Sequence, residues 1–270
     1  DISYRKDLGM GSDELVTDFV RFNRNHYAVY TNKLKTYEIG PTEIEEIMIS
    51  ADIPPVYSAG WYFSTICDGK YLTFTSRRNP TECLKIATPI NIGTITSMHI
   101  MPYTDIMILN TVRCVYKYQF NTETKELTHQ KSLCAAAELI AHDEDGAVIA
   151  CAHDDGKVTI IWASSWKTHH TLRSPRLASI AISQKYMVAA TQHDGHIYIW
   201  DLASGDVLQT ISTEWQSPGF VSFNECIQGL GINAFDIDTG LLSIWEISDD
   251  PEMKLWPLNP TNKNTHLVCV

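Results

Sequence analysis

Apolar and polar residues alternate in short runs along this chain. Examples are YLTFTS (71–76), CVYKYQF (114–120), AVIACA (147–152), KVTIIW (157–162) and HIYIWDL (196–202). The runs are rich in β-branched and aromatic residues, and Gly, Asp, Asn and Ser punctuate them. A period of two with such punctuation predicts strands joined by tight turns. Helical periodicity is scarce. The best helical candidate is the acidic stretch PTEIEEIMIS (41–50), whose IxxIMI pattern also fits a strand. The spacing of the runs predicts an all-β sandwich, barrel or propeller.

Internal repeats decide among these. Residues 143–172, DEDGAVIACAHDDGKVTIIWASSWKTHHTL, run parallel to residues 183–211, SQKYMVAATQHDGHIYIWDLASGDVLQTI. Each reads as a strand, an Asp-Gly turn, a strand ending in Trp, a polar turn and a further strand. A third copy is DIDTGLLSIWEISDDPEMKLWPL (236–258). The turn glycine precedes Trp162 by six positions, and Trp200 and Trp245 by five. The tryptophans follow one another at 38 and 45 positions, which fits a four-stranded unit of about 40–45 residues.

The segment IAISQKYMVAATQHDGHIYIWDLASGDVLQTI resembles a WD40 repeat, including the Trp200-Asp201 dipeptide. The neighbouring copies carry Trp162-Ala163 and Trp245-Glu246, and weaker copies place Tyr118 and Tyr37 where the Trp sits. The resemblance implies a WD40-like β-propeller of four-stranded blades, here a single domain over 1–270. Six units are visible, at 16–50, 51–92, 95–133, 134–173, 177–212 and 216–258, and a seventh is possible. The ends, 1–15 and 259–270, are available to help close the ring. In this family an Asp in the turn between the second and third strands bonds with a His, a Ser or Thr, and the Trp. Asp194 and Trp200 match two of these places, and Asp155 matches with one residue inserted before Trp162. Asp155, Trp162, Asp194, Trp200, Asp201 and Trp245 are therefore expected as structural blade positions. The family's Gly-His dipeptide is missing; LRSPRLAS stands before the fifth unit, and Gly195-His196 follows the Asp turn. The resemblance thus implies a diverged member, held by packing more than by polar networks.

Composition narrows the function. A net charge of −11 argues against direct, general nucleic-acid binding, which needs clustered Lys and Arg. No run of 18 apolar residues predicts a membrane span, and nothing at the start resembles a signal peptide. Seven cysteines, none in C-x-x-C, lie mostly in apolar runs. They read as reduced, buried thiols of an intracellular protein, cytoplasmic or nuclear.

His142-Asp143-Glu144-Asp145, His153-Asp154-Asp155 and His193-Asp194 hold metal-ligand residue types. They also stand at hairpin turns, where Asp is favoured for backbone reasons, so no metal site is assigned. No nucleophile elbow, zincin helix, P-loop or dinucleotide fingerprint is present. No catalytic residue, cofactor or small-molecule substrate is expected. The loops leading into the fifth and sixth units, RSPRLA and STEWQSPG, carry Arg173, Arg176, Trp215 and Gln216. Arg and Trp are enriched at interface hot spots, so these four are the candidate partner-binding residues, with Trp166 as a second contact at the opposite end. The expected function is a non-enzymatic interaction scaffold, a subunit of a larger assembly whose partners are other protein subunits. The alternatives are an F-box/WD40-type substrate receptor of a ubiquitin ligase and a propeller hydrolase.

Overall fold

The computed structural model describes residues 16–23, 26–31, 35–39, 44–48, 56–59, 63–67, 70–76, 83–89, 91–121, 123–124, 126–192, 195–213, 218–227, 229–236, 242–247 and 255–257. These form six four-stranded sheets, each a meander in chain order. The first comprises β1 (Val16–Asn23), β2 (His26–Thr31), β3 (Lys35–Ile39) and β4 (Ile44–Met48). The second comprises β5 (Val56–Ala59), β6 (Phe63–Cys67), β7 (Tyr71–Ser76) and β8 (Cys83–Ala87). The third holds β9 (Ile95–Ile100), β10 (Ile106–Thr111), β11 (Cys114–Asn121) and β12 (Glu126–Ala135). The fourth holds β13 (Leu139–His142), β14 (Val148–Ala152), β15 (Lys157–Trp162) and β16 (Lys167–Arg173). The fifth holds β17 (Leu177–Ile182), β18 (Tyr186–Thr191), β19 (His196–Asp201) and β20 (Val207–Ser212). The sixth holds β21 (Pro218–Ile227), β22 (Gly229–Asp236), β23 (Leu242–Ile247) and β24 (Leu255–Pro257).

No helix occurs among the described residues. The one helical candidate is a strand over Ile44–Met48, paired with β3 from Lys35↔Met48 to Ile39↔Ile44. A ten-residue stretch is marginal as an isolated helix in water, and pairing along β3 gives the backbone groups on that side partners. Residues 1–15 and 259–270, considered for ring closure, lie outside the described residues.

Two compact units divide the described strands, one up to Ser132 and one from Leu133 on. In the first unit, Leu72, Phe74, Met98, Met107, Leu109, Tyr118 and Phe120 form one buried cluster between the second and third sheets. Phe74 and Phe120 stack at 4.4 Å between ring centroids. In the second unit, Val148, Ala150, Val158 and Ile160 of the fourth sheet meet Met187, Ala189 and Trp200 of the fifth. Val188, Ala190, Ile197 and Ile199 point the other way, to Val221, Ile232 and Ala234 of the sixth. The fifth sheet is thus apolar on both faces, which is why β18 is buried at every residue. Each large side chain buried this way contributes about 1.5–3 kcal/mol. The outer strands β16 and β20 are mostly exposed.

Candidate functional site

Two kinds of loop meet at one end of the second unit's sheets. They are the turns between second and third strands and the segments that lead into each first strand. Backbone hydrogen bonds fasten one kind to the other. The Ser174 N–H donates to Gly156 O at 2.8 Å, and the Thr213 N–H to Gly195 O at 2.8 Å. In the first unit, the Thr88 N–H does the same to Lys70 O at 2.9 Å. Gly156 has φ +75, and a Cβ there would meet Ser174 O at 2.6 Å. Only glycine permits both the left-handed backbone and the close approach.

Side chains add a second tie. His153 Nδ1 lies 2.8 Å from Ala136 O, and its Nε2 lies 2.9 Å from Thr159 Oγ1. A carbonyl only accepts, so a neutral ring donates from Nδ1 and accepts the threonine hydroxyl at Nε2. In the fifth sheet Gln192 takes the same place, its Nε2 donating to Leu177 O at 3.1 Å. Main-chain bonds from Glu138 N to Ala152 O (2.7 Å) and from Gln192 N to Arg176 O (3.0 Å) complete the frame. Residues 136–138 and 174–176, which lead into the fourth and fifth sheets, are therefore held in place, although they carry no regular structure of their own.

Arg176 sits on this frame. Its guanidinium donates to Glu138 Oε1 at 2.6 Å and Oε2 at 3.3 Å. The hydrogen bond to Glu138, together with the charges of Glu138 and Asp154, holds the Arg176 pKa above its ordinary value. The pair is open to solvent, with 55% and 32% of the two side chains exposed, so its net contribution is small. Arg173 ends β16, exposed and in register with Lys157. Asp155 bonds Lys157 through both its side chain and the Lys157 N–H, and the lysine hydrogen bond holds the Asp155 carboxyl below its usual range. Trp215, Gln216 and Asp194 lie outside the described residues. Glu138 and Asp154 carry no signal along the chain, since their nearness to Arg176 exists only once the sheets have formed.

The remaining blade positions resolve by register. Trp200 pairs with Met187, Trp245 with Ile232, and Trp162 with Val148. Trp200 is 1% exposed. The bulge toward the outer strand falls between Ile199 and Trp200 in the fifth sheet and between Ile160 and Ile161 in the fourth. Counting from the fastened glycines, Ile161 therefore stands where Trp200 does. Trp162 stands one residue later, at the place of Asp201, and a one-residue offset reverses the face. It joins the cluster with the fifth sheet from the edge, partly buried, with His169 at 5.6 Å edge-on. Its Nε1 is buried with no hydrogen-bond partner among the described residues. The extra residue between Gly156 and Trp162 was the sequence signal of this offset. Asp201 Oδ1 accepts the Ala203 and Ser204 N–H groups at 2.6 and 3.1 Å, closing the next turn. Trp166 occupies the equivalent turn of the fourth sheet, partly buried at φ 52.

The two His/Asp groups within the described residues serve their turns, and His193-Asp194 lies outside the described residues. Asp143 is buried, and its Oδ1 accepts the Val148 N–H at 2.7 Å. His142 Nδ1 lies 2.9 Å from Asp143 O, and burial pushes the His142 pKa below its ordinary value. Among the described residues no three His, Cys, Asp or Glu side chains group as metal ligands. None of the described residues forms a helix long and apolar enough to cross a membrane.

Consecutive four-stranded antiparallel sheets with fastened turns define an all-β, propeller-like fold. The solved structure of Kluyveromyces lactis Hsv2, a β-propeller protein, is similar to this chain at a TM-score of 0.64 and 10% identity. The match covers 89% of this chain and 85% of that one. At this identity the likeness is one of fold. No known family profile matches the chain, and neither does any curated protein.

Proposed function

We propose that the chain is a non-enzymatic protein-interaction scaffold, an intracellular subunit of a larger assembly. Its contact surface on this reading is the lead-in end of the second unit, with Arg173, Trp215 and Gln216 reaching the partner. The observation that carries the reading is the repeated fastening of those loops at Gly156–Ser174 and Gly195–Thr213. A propeller-like scaffold presents function on such loops, and loops held in place lose little entropy on binding. Arg176, already bonded to Glu138, supports the platform.

Affinity capture from native extract with mass spectrometry tests this. Arg173→Glu combined with Trp215→Ala is compared with Lys185→Glu, an exposed turn residue at the other end of the fifth sheet. The expected result is a partner set that the first variant loses and the second retains. Recovery of the chain alone in mild salt overturns the scaffold reading, and equal recovery by both variants overturns the choice of surface.

A further inference from the structure

The lead-in end of the second and third sheets has its own charge pattern. The segment from Thr88 to Thr94 joins these sheets, and bonds fasten it at three points. The Thr88 N–H and hydroxyl donate to Lys70 O at 2.9 and 3.0 Å. Arg113 Nη1 donates to Asn91 O at 3.4 Å, and the Val112 N–H to Thr94 O at 3.1 Å. Ile92 anchors the segment in the buried cluster of the two sheets. Three residues span at most about 11 Å, so the points at Thr88 and Asn91 that hold Lys70 and Arg113 are close neighbours. Thr111 stiffens the turn that carries Arg113. Its hydroxyl donates to Cys114 O at 2.9 Å and accepts the Arg113 and Cys114 N–H groups at 3.2 and 3.1 Å. That turn presents Val112, 59% exposed, beside an exposed Arg113. Next to Lys70, Tyr71 is 41% exposed, and Lys85 Nζ lies 4.5 Å from its ring centroid. Lys70, Lys85 and Arg113 are all exposed. Among the described residues no carboxylate of these two sheets stands at this end; Asp68, in the turn before Lys70, lies outside them. The second unit instead mixes Glu138, Asp154 and Asp155 with its cations.

We propose that this end of the second and third sheets is a contact surface for an acidic segment of another protein. Its carboxylates meet Arg113, Lys85 and Lys70, and an apolar side chain among them covers Val112 and Tyr71. Charge complementarity selects this occupant. The bond to Asn91 O engages one Nη of Arg113, and a guanidinium carries five N–H donors, so a carboxylate finds donors there. The chain as a whole carries −11. A nucleic-acid duplex or an anionic membrane presents an extended field of negative charge, which that net charge repels. A short segment with a few carboxylates reaches the three cations without setting a large charge against the rest of the molecule. The fastened turns lose little entropy on binding. This surface belongs to the first unit and does not depend on the reading given to the second.

Short random peptides displayed on phage are selected on the full chain, and a recovered peptide is labelled for fluorescence anisotropy. The recovered sequences should be enriched in Asp and Glu flanking an apolar residue, with binding that weakens as salt rises. Val112→Ser combined with Arg113→Glu weakens the labelled peptide about tenfold. Lys85→Glu weakens it less, and Arg173→Glu in the second unit leaves it unchanged. Circular dichroism checks the fold of each variant, and if the double variant does not fold, Lys85→Glu decides. A selection without acidic enrichment overturns the proposal. So does an acidic peptide that binds these first-unit variants as it binds the wild type, or one released by Arg173→Glu instead. Tighter binding of duplex DNA or phosphatidylserine vesicles than of the peptide overturns it as well.

Discussion

The fourth and fifth sheets begin from the same device and finish differently. In both, a left-handed glycine accepts the first N–H beyond the outer strand, and a polar side chain three residues earlier ties the turn to a carbonyl before the first strand (Ala136) or at its start (Leu177). Beyond that the chemistry diverges. The fifth sheet buries Trp200 and caps the next turn with Asp201. The fourth puts Ile161 and Trp162 at those two places. Its turn keeps the bonds from Trp166 N to Trp162 O and from the Lys167 N–H to Ser165 Oγ, which the fifth makes from Gly205 N to Asp201 O and from the Asp206 N–H to Ser204 Oγ, but Trp162 supplies no side-chain cap like that of Asp201. Both sheets nevertheless share one apolar cluster. The apolar alternation is thus the part of the repeat that holds the fold, while the polar residues are local and exchangeable.

Substitutions separate these contributions. The largest effect belongs to Trp200→Ala, which empties a fully buried site and costs about 3–5 kcal/mol by urea unfolding. Trp162→Ala, at the edge of the same cluster, costs about 1–2 kcal/mol. Equal losses would mean that the two tryptophans are equivalent after all. Next come the glycines. Gly205→Ala, at φ +80 with only side chains nearby, costs about 1–2 kcal/mol for its left-handed backbone. Gly156→Ala costs more than Gly205→Ala, because its Cβ also meets the Ser174 carbonyl. Asp201→Ala gives up its turn bonds and costs about 1 kcal/mol. A double-mutant cycle on Glu138 and Arg176 yields a coupling of about 0.2–1 kcal/mol that fades with added salt.

The smallest effect at neutral pH is that of His142. Its folded pKa lies below the ordinary 6.5 because the ring is buried, so the unfolded chain binds the proton more readily. Its stabilising contribution is complete above about pH 6.5 and falls as the pH drops below that value. His142→Gln should flatten this part of a Tm-against-pH curve.

Much of the fold was legible because strands announce themselves by alternation and turns by Gly and Asp. The register of Trp162 showed only as the extra residue after Gly156; the face it takes follows from its pairing with Val148, since the bulge toward the outer strand falls at the equivalent place in both sheets. β4 stayed open between helix and strand for a related reason: Ile44, Ile47 and Met48 fit a helix by spacing, and only pairing with β3 decides for the strand. Of the candidate site, the loops and Arg173 were readable. The Arg176–Glu138 pair was not, because 38 positions separate the residues.

Native-state hydrogen exchange over Leu133–Thr265 is the most direct test of a shared apolar core. Amides of β14 and β18, buried along their whole length, should exchange slowest and with the same opening free energy, as one cooperative unit. Trp200→Ala should lower both together. Faster, independent opening of β14, or a loss confined to the fifth sheet in Trp200→Ala, would contradict the account.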